Sequence, residues 1–550
     1  MKELSSRTRF RLLFYSLLTI INLIQGAKTG LFYDEAYYWY ISFHMDWGHF
    51  YHPPLIDVLD QAGYSLLQSK LGLRLFFIVL STSSIYLLER LIKPRPEQLW
   101  VYYAIVSTIV FLQVGGIFAA LDIPLFFFGV CFFTVLKQYL DQQTNRLGFL
   151  LGLMSTMLLY SKYHGVLIII PSFLLLLPRF YRKRSFYVWP IISLLLFMPH
   201  IYWQVSHHFP TVNFHLFSRP NTHWFDIGNL DYIPGQLLFA GPITSFFLIY
   251  GIIKRKITTL FERLLLGNLI VIYSFFFLYA FYTHIEANWG VLPLIPLVIL
   301  GFRALCDMPK LLTLFKKTIM ISLVLSLLLR LALFFPDKSP IGRLDREFAG
   351  WDKFARIIDS LAQGRPVVMM TRYQYASAYA FYSQKKFVHV SYPDQPSDFN
   401  LIDTEDRVLN KEVLLCSRKI FDSSQVIKTN KGTWYYKIVP KFKTLSQVMV
   451  TDVVSDGTSG SLEYKLLLKP SNKSSINTKT DLDGKLFIRY YKNSKVLTFQ
   501  DLGDIKRLGL KTLDIPKEVK DKGKLQCQFF VKAGDLMAMP CSKIFEISFI

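Results

Sequence analysis

The most chemically suggestive residues of this 550-residue chain lie close together near its N-terminus. Tyr33-Asp34-Glu35-Ala36-Tyr37-Tyr38-Trp39 sets two adjacent carboxylates among aromatic rings, and Asp46-Trp47-Gly48-His49-Phe50-Tyr51-His52-Pro53-Pro54 follows. A carboxylate drawn to the centre of a bilayer costs about 2.5–3.5 kcal/mol, so acids beside long apolar runs call for a reason. Solvation in a loop is one. A helix lying in the membrane interface, rings toward lipid and acids turned inward, is the other. On such a helix positions 34 and 38 share one face, while 35 and 39 share the next. The two acids therefore aim at different places, which suits one as a general base and the other as a positioning group.

Further polar points recur at the ends of apolar runs. Asp122 occupies a very short turn in Ala120-Leu121-Asp122-Ile123-Pro124, where it either caps a helix or holds a substrate. Ser161-Lys162-Tyr163-His164-Gly165 breaks another apolar hairpin; Lys162 holds a phosphate as a point charge or snorkels to the interface. His284-Ile285-Glu286-Ala287-Asn288 forms a third such loop. Arg330 lies inside the last apolar run, where a phosphate is its natural bidentate partner. Carboxylates beside cations under an aromatic rim suit attack by an acceptor hydroxyl or amine on the anomeric carbon of a lipid-borne sugar phosphate. An acid takes the proton and a cation stabilises the departing phosphate. Such a donor needs no nucleotide loop, and the chain has no Walker or dinucleotide fingerprint. Asp46, His49 and His52 also offer a divalent metal three ligands, although their spacing fits no standard site and interfacial packing is the better explanation.

The elements that position these residues are membrane helices. Hydrophobic residues make up 52% of the chain and charged residues only 18%, well below a soluble domain's share of about 25%. About eleven apolar runs are long enough to span a bilayer: 10–27, 72–92, 98–118, 123–140, 147–162, 164–178, 186–203, 235–253, 262–282, 289–306 and 317–335. Lys and Arg gather at alternate ends of these runs, and the opposite loops hold few cations (Lys28, Lys70, Arg74, Lys162 and Arg219). That asymmetry expects a cytoplasmic N-terminus and an extracytoplasmic tail. It also accounts for much of the formal charge of +23 without nucleic acid. The histidines of this region, His223 among them, then fall near the outer face, as an interfacial belt or as a polar chamber. Residues 1–335 are expected to form a membrane unit, 336–430 a small α/β domain and 431–550 a mainly β domain.

Several of these stretches are similar to one family. YDEAYYWYISFHMDWGHFYHPPLI resembles the first outer loop of the dolichyl-phosphate-mannose–protein mannosyltransferase-like family, glycosyltransferase family 39, which is grouped with the lipid A aminoarabinose transferase. ALDIPLFFFG, LLYSKYHGVLIIIP, PHIYWQVSHHFP and HIEANWGVLPLIPL continue the likeness in the family's order, and RYQYASAYAFYSQKKFV extends it weakly into the tail. The resemblance implies GT-C architecture, a polyprenyl-phosphate sugar donor and inversion at the anomeric carbon. It places the family's catalytic acid at Asp34-Glu35, with Asp34 preferred, and matches Asp122 to an acid that positions substrate. His52 and Lys162 match further family positions. Tyr163, His284, Glu286, Asn288 and Arg330 complete the expected substrate-binding set on their place in the chain. The expected setting is the inner membrane, with the acceptor open among protein, lipid and glycan. A transporter or flippase of lipid-linked sugars and a non-catalytic envelope-assembly protein are the competing readings; transporters gather ionisable groups near the midplane and show repeats, neither of which is visible here.

Overall fold

Apolar runs flanked by basic residues become helices throughout the first 350 residues, because hydrocarbon tolerates only a backbone that bonds within itself. The computed structural model describes residues 6–215, 231–391, 397–402, 404–421, 423–443, 448–456, 461–468, 484–492, 495–505, 509–516, 519, 525–532, 539–542 and 544–547. Arg219 and His223 lie outside these described residues. By its internal contacts the chain divides into two compact units, Met1–Gly350 and Trp351–Ile550.

In the first unit α1 (Ser6–Lys28) leads to two short helices, α2 (Tyr33–Ile41) and α3 (Leu55–Leu66), before α4 (Lys70–Ile92). Then come α5 (Leu99–Thr108), α6 (Val110–Gln113), α7 (Asp122–Asp141), α8 (Asn145–Ser161), α9 (Val166–Phe180), α10 (Arg184–Ser206) and α11 (Pro210–Asn213). The unit closes with α12 (Tyr232–Phe239), α13 (Thr244–Lys254), α14 (Leu260–Ala280), α15 (Leu294–Asp307), α16 (Pro309–Phe334) and the short α17 (Gly342–Phe348). Among the described residues, seven helices are long and apolar enough to cross a membrane: α1, α4, α7, α9 with the turn before it, α10, α14 and α16. The bent pairs α5–α6 (82°) and α12–α13 (97°) raise the number to nine. All eleven expected runs are helical, but α8 and α15 have only 17 and 14 residues. Nearly every side chain of α15 from Leu294 to Leu305 is buried, so it reads as a central strut of the bundle.

Between α1 and α4 the chain stays at one end of the bundle. Gly72 lets α3 fold back onto α4: a Cβ there would stand 1.7 Å from the Leu67 carbonyl oxygen.

The second unit begins with α18 (Trp351–Ala362), β1 (Val367–Met370), α19 (Tyr373–Tyr382) and β2 (His389–Val390). β1 lies parallel to β2 and to β3 (Val413–Ser417), and β5 (Gly432–Val439) and β4 (Gln425–Thr429) extend the same sheet in the order β2-β1-β3-β5-β4. Two antiparallel sheets follow, built on β7 (Ser461–Leu468) and on the pair β8 (Lys485–Lys492) and β11 (Leu525–Lys532). One hydrophobic core, running from Val368 to Ile547, joins all three sheets. Cys527 and Cys541, spaced in the sequence so as to permit a disulfide, are separate buried thiols.

Gly72→Val is expected to cost about 1–3 kcal/mol of overpacking and to lower the thermal unfolding midpoint in detergent. An unchanged midpoint would show that the α3–α4 turn is looser than described.

Candidate active site

Adjacent acids on one helical turn part company as the periodicity requires. Glu35 is almost wholly buried and meets Arg74 of α4, with Arg74 Nε donating to Oε1 at 2.7 Å and Nη2 to Oε2 at 2.5 Å. The remaining guanidinium hydrogens go to the carbonyl oxygens of Gly26 (2.8 Å), Thr29 (2.9 Å) and Gly30 (2.8 Å) at the end of α1. Every N–H of Arg74 is thereby used, which is what makes a buried guanidinium tolerable. Glu35 accepts two backbone N–H groups besides, from Phe32 and Ala119, each at 2.9 Å. Its carboxylate is fully committed.

Asp34 faces the other way. It borders a cavity of about 330 Å³ together with Tyr38, Phe118, Asp122, Lys162, Asn288 and Phe348. Among the described residues its carboxylate has no hydrogen-bond or ion-pair partner. Burial, and then the negative charges of Glu286, Glu347 and Glu35, push its pKa up to about 7.

Across the cavity Asp122, at the start of α7, accepts from Lys162 Nζ at 2.8 Å on one oxygen and from Asn288 Nδ2 at 2.7 Å on the other. Lys162 sits in the break between α8 and α9, in extended backbone, so its side chain reaches back to the neighbouring turn. Three residues from three separate loops thus converge, as the sequence reading expects for Asp122, Lys162 and Asn288. Both oxygens of Asp122 are occupied, so it acts as a clamp on the lysine.

Other expected residues stand further off. His52 is buried with its ring edge-on to Tyr38 at 5.0 Å, behind the cavity wall. Tyr163 turns toward α10, where its hydroxyl meets His200 Nε2 at 3.1 Å. His284 and Glu286 form an exposed pair at 3.7 Å, and Glu286 reaches the site through its field on Asp34. Arg330 is not among the residues lining the cavity; it donates to Gln25 (2.7 Å) and Asn22 (2.8 Å) of α1 and, more weakly, to Gln113 (3.4 Å). Asp46, His49 and His52, weighed above as metal ligands, have separate commitments: Asp46 accepts from Trp203 Nε1 at 2.8 Å, and His49 Nε2 meets Asp57 at 2.5 Å. Among the described residues no group of three or more His, Cys, Asp or Glu side chains is arranged to hold a metal.

Two residues escaped the sequence reading. Arg74 counted there as one more loop cation, although its position in the first turns of an apolar run was the available signal. Asp57, inside the apolar stretch Leu55-Ile56-Asp57-Val58-Leu59, carried the same kind of signal: an ionisable group where hydrocarbon neighbours demand a partner.

The helical bundle, with two short helices before its second long span, and the C-terminal α/β unit have the GT-C fold. Residues 51–203 match the family described as dolichyl-phosphate-mannose-protein mannosyltransferase. The lipid A galacturonosyltransferase RgtD of Rhizobium johnstonii is 24% identical over 335 residues, covering 58% of this chain and 69% of the relative. ArnT from Cupriavidus metallidurans in the apo state superimposes with a TM-score of 0.57 at 14% identity, over 78% of this chain and 98% of the other. The same protein bound to undecaprenyl phosphate gives 0.56 at the same identity and coverage.

Breaking the buried pair by Arg74→Met is expected to cost about 3–5 kcal/mol, because it strands Glu35 as an unpaired charge. Arg74→Met combined with Glu35→Leu should recover part of that loss in thermal unfolding. No recovery in the double variant would mean the two side chains do not act as a pair.

Proposed function

We propose that this glycosyltransferase moves a sugar from a polyprenyl-phosphate donor to an acceptor, with inversion, at the outer face of the cytoplasmic membrane, and that Asp34 is its general base. One observation supports this reading above the others. Three carboxylates border the cavity, and two are spent: Glu35 on Arg74 and two backbone N–H groups, Asp122 on Lys162 and Asn288. Asp34 alone of the three keeps its oxygens for a substrate. A carboxylate with a pKa near the working pH also combines a useful ionised fraction with real basicity.

The reaction follows from this division. The acceptor O–H or N–H gives its proton to an Asp34 oxygen as the acceptor atom bonds to the anomeric carbon. The bond from that carbon to the phosphate oxygen breaks on the opposite face, and polyprenyl phosphate leaves with the electron pair. Lys162, held at a fixed point by Asp122 and Asn288, offers the departing phosphate a positive charge inside a water-poor cavity, where it is worth more than in solvent. The donor chemistry draws support from the undecaprenyl phosphate bound by the ArnT structure of like fold. The likeness to a lipid A galacturonosyltransferase favours a glycolipid of the envelope as acceptor. A carrier without chemistry would have no use for a free, basic carboxylate opposite a clamped lysine.

Asp34→Asn should reduce transfer from a polyprenyl-phosphate sugar by roughly 10²–10⁴-fold while leaving donor binding and unfolding temperature near those of the wild type. Because the base must be ionised, and its pKa is raised to about 7, wild-type kcat/KM should fall as pH drops below about 7 and level off above it. A flat profile between pH 5 and 8, or an active Asn variant, removes Asp34 from the role.

The proposed orientation puts the 351–550 unit outside the cytoplasm. A single-cysteine reporter at Ser383, in a cysteine-free background, should react with a membrane-impermeant maleimide in intact spheroplasts; protection until lysis would reverse the topology.

A further inference from the structure

Among the described residues Arg330 carries a charge that no carboxylate balances. It lies in α16, one turn before the C-terminal end at Phe334, where an ionised side chain without a counter-charge is costly. Its partners are three neutral amide oxygens, from Gln25, Asn22 and Gln113, and among the described residues it has no carboxylate partner. The amides pin the guanidinium in place without neutralising it.

A second group in the same cluster points to the same missing partner. Asn22 is completely buried and spends its Oδ1 on Arg330, which turns its Nδ2 away from the guanidinium; that amide N–H₂ has no acceptor. A buried donor left unmade costs about 1–3 kcal/mol. One surplus positive charge and one unspent donor are both satisfied by a single anion with several acceptor oxygens. The cluster also ties α1 to α16. α1 and α16 are the least buried of the candidate spans. The nearby cavity wall, meanwhile, is apolar: Val110, Val114, Phe118 and Phe348 pack against Leu329 and Leu333. An anion that reaches Arg330 therefore comes along the seam between α1 and α16, from the bilayer.

We infer that Asn22, Gln25, Gln113 and Arg330 form a lipid-phosphate site in the α1–α16 seam, separate from the cavity of Asp34 and Lys162. The guanidinium charge and its Nε–H, which no amide of the cluster accepts, hold the phosphate together with the Asn22 Nδ2 hydrogens. Gln25 secures the seam by donating to the Arg330 carbonyl oxygen at 3.1 Å, and Thr29 does so to Leu333 at 3.3 Å, so the cradle is built before a lipid arrives. The phosphate belongs to an anionic bilayer lipid or to a polyprenyl phosphate; the chemistry is shared, and the experiment separates them.

The test uses the full chain in nanodiscs of phosphatidylcholine, doped with phosphatidylglycerol or with undecaprenyl phosphate, and native mass spectrometry of retained lipid. Wild type should retain one of the doped lipids at unit stoichiometry, Arg330→Gln should retain about tenfold less or lower still, and Asn22→Leu should fall between them. Arg330→Lys, which keeps the charge but loses the fork, should restore folding and only part of the retention. Lys162→Met, altered in the other cavity, should retain the lipid of this seam as wild type does. Equal retention by wild type and Arg330→Gln, or retention of neither lipid by a folded wild type, overturns the site. Because the readout is bound lipid and not sugar transfer, a failure of Asp34 as base leaves this outcome untouched.

Discussion

The segment between α1 and α4 is organised around one buried ion pair, Glu35 with Arg74. Its merit lies less in Coulombic gain, which desolvation largely offsets, than in the number of places it ties together. The guanidinium fixes the last turn of α1, the carboxylate fixes α2 and the backbone at Ala119, and α4 supplies the anchor. Because Glu35 is locked inward, its neighbour one residue earlier on the helix is forced toward the cavity. The position of Asp34 is a by-product of the position of its neighbour.

The cavity shows how environment divides labour among like groups. Asp34, Glu35 and Asp122 are chemically near-identical, yet one is tied to an arginine, one clamps a lysine and one has no partner. Partners occupy both oxygens of each of the first two. Burial without a cation raises the third until it can exchange a proton near neutral pH. The same reasoning separates the two cations. Lys162 is neutralised in part by Asp122 and lines the cavity, whereas Arg330 is held by amide dipoles.

Much of the architecture was legible from residues alone, because hydropathy and helical period are strong signals in a membrane chain. Each apolar run is a helix, and 34 and 35 do face apart. In the tail the expected mixture of helix and strand appears in α18, β1 and α19, and strands such as β5, β7 and β8 follow. Convergence of Asp122, Lys162 and Asn288 was foreshadowed only by their shared level at the ends of runs. What stayed hidden was pairing at long range. Nothing local says that Arg74 reaches Glu35 across 39 residues, or that Arg330 meets α1 across more than 300. Two of the expected runs form helices of only 17 and 14 residues, the second buried against protein along most of its length.

The loop between α14 and α15 joins two parts of the bundle that could otherwise move apart. Gln236 on α12 donates to the carbonyl of Ala287 at 2.8 Å, the next residue holds Asp122, and Gly290 sits so tightly on Gln236 that a Cβ would fall 1.5 Å from its amide oxygen. α12 is also the first arm of the 97° bent pair. Any outward swing of that arm drags on the loop and slackens the grip on Lys162. The bent pair and the Asp122–Lys162 contact are in this way mechanically linked through one loop.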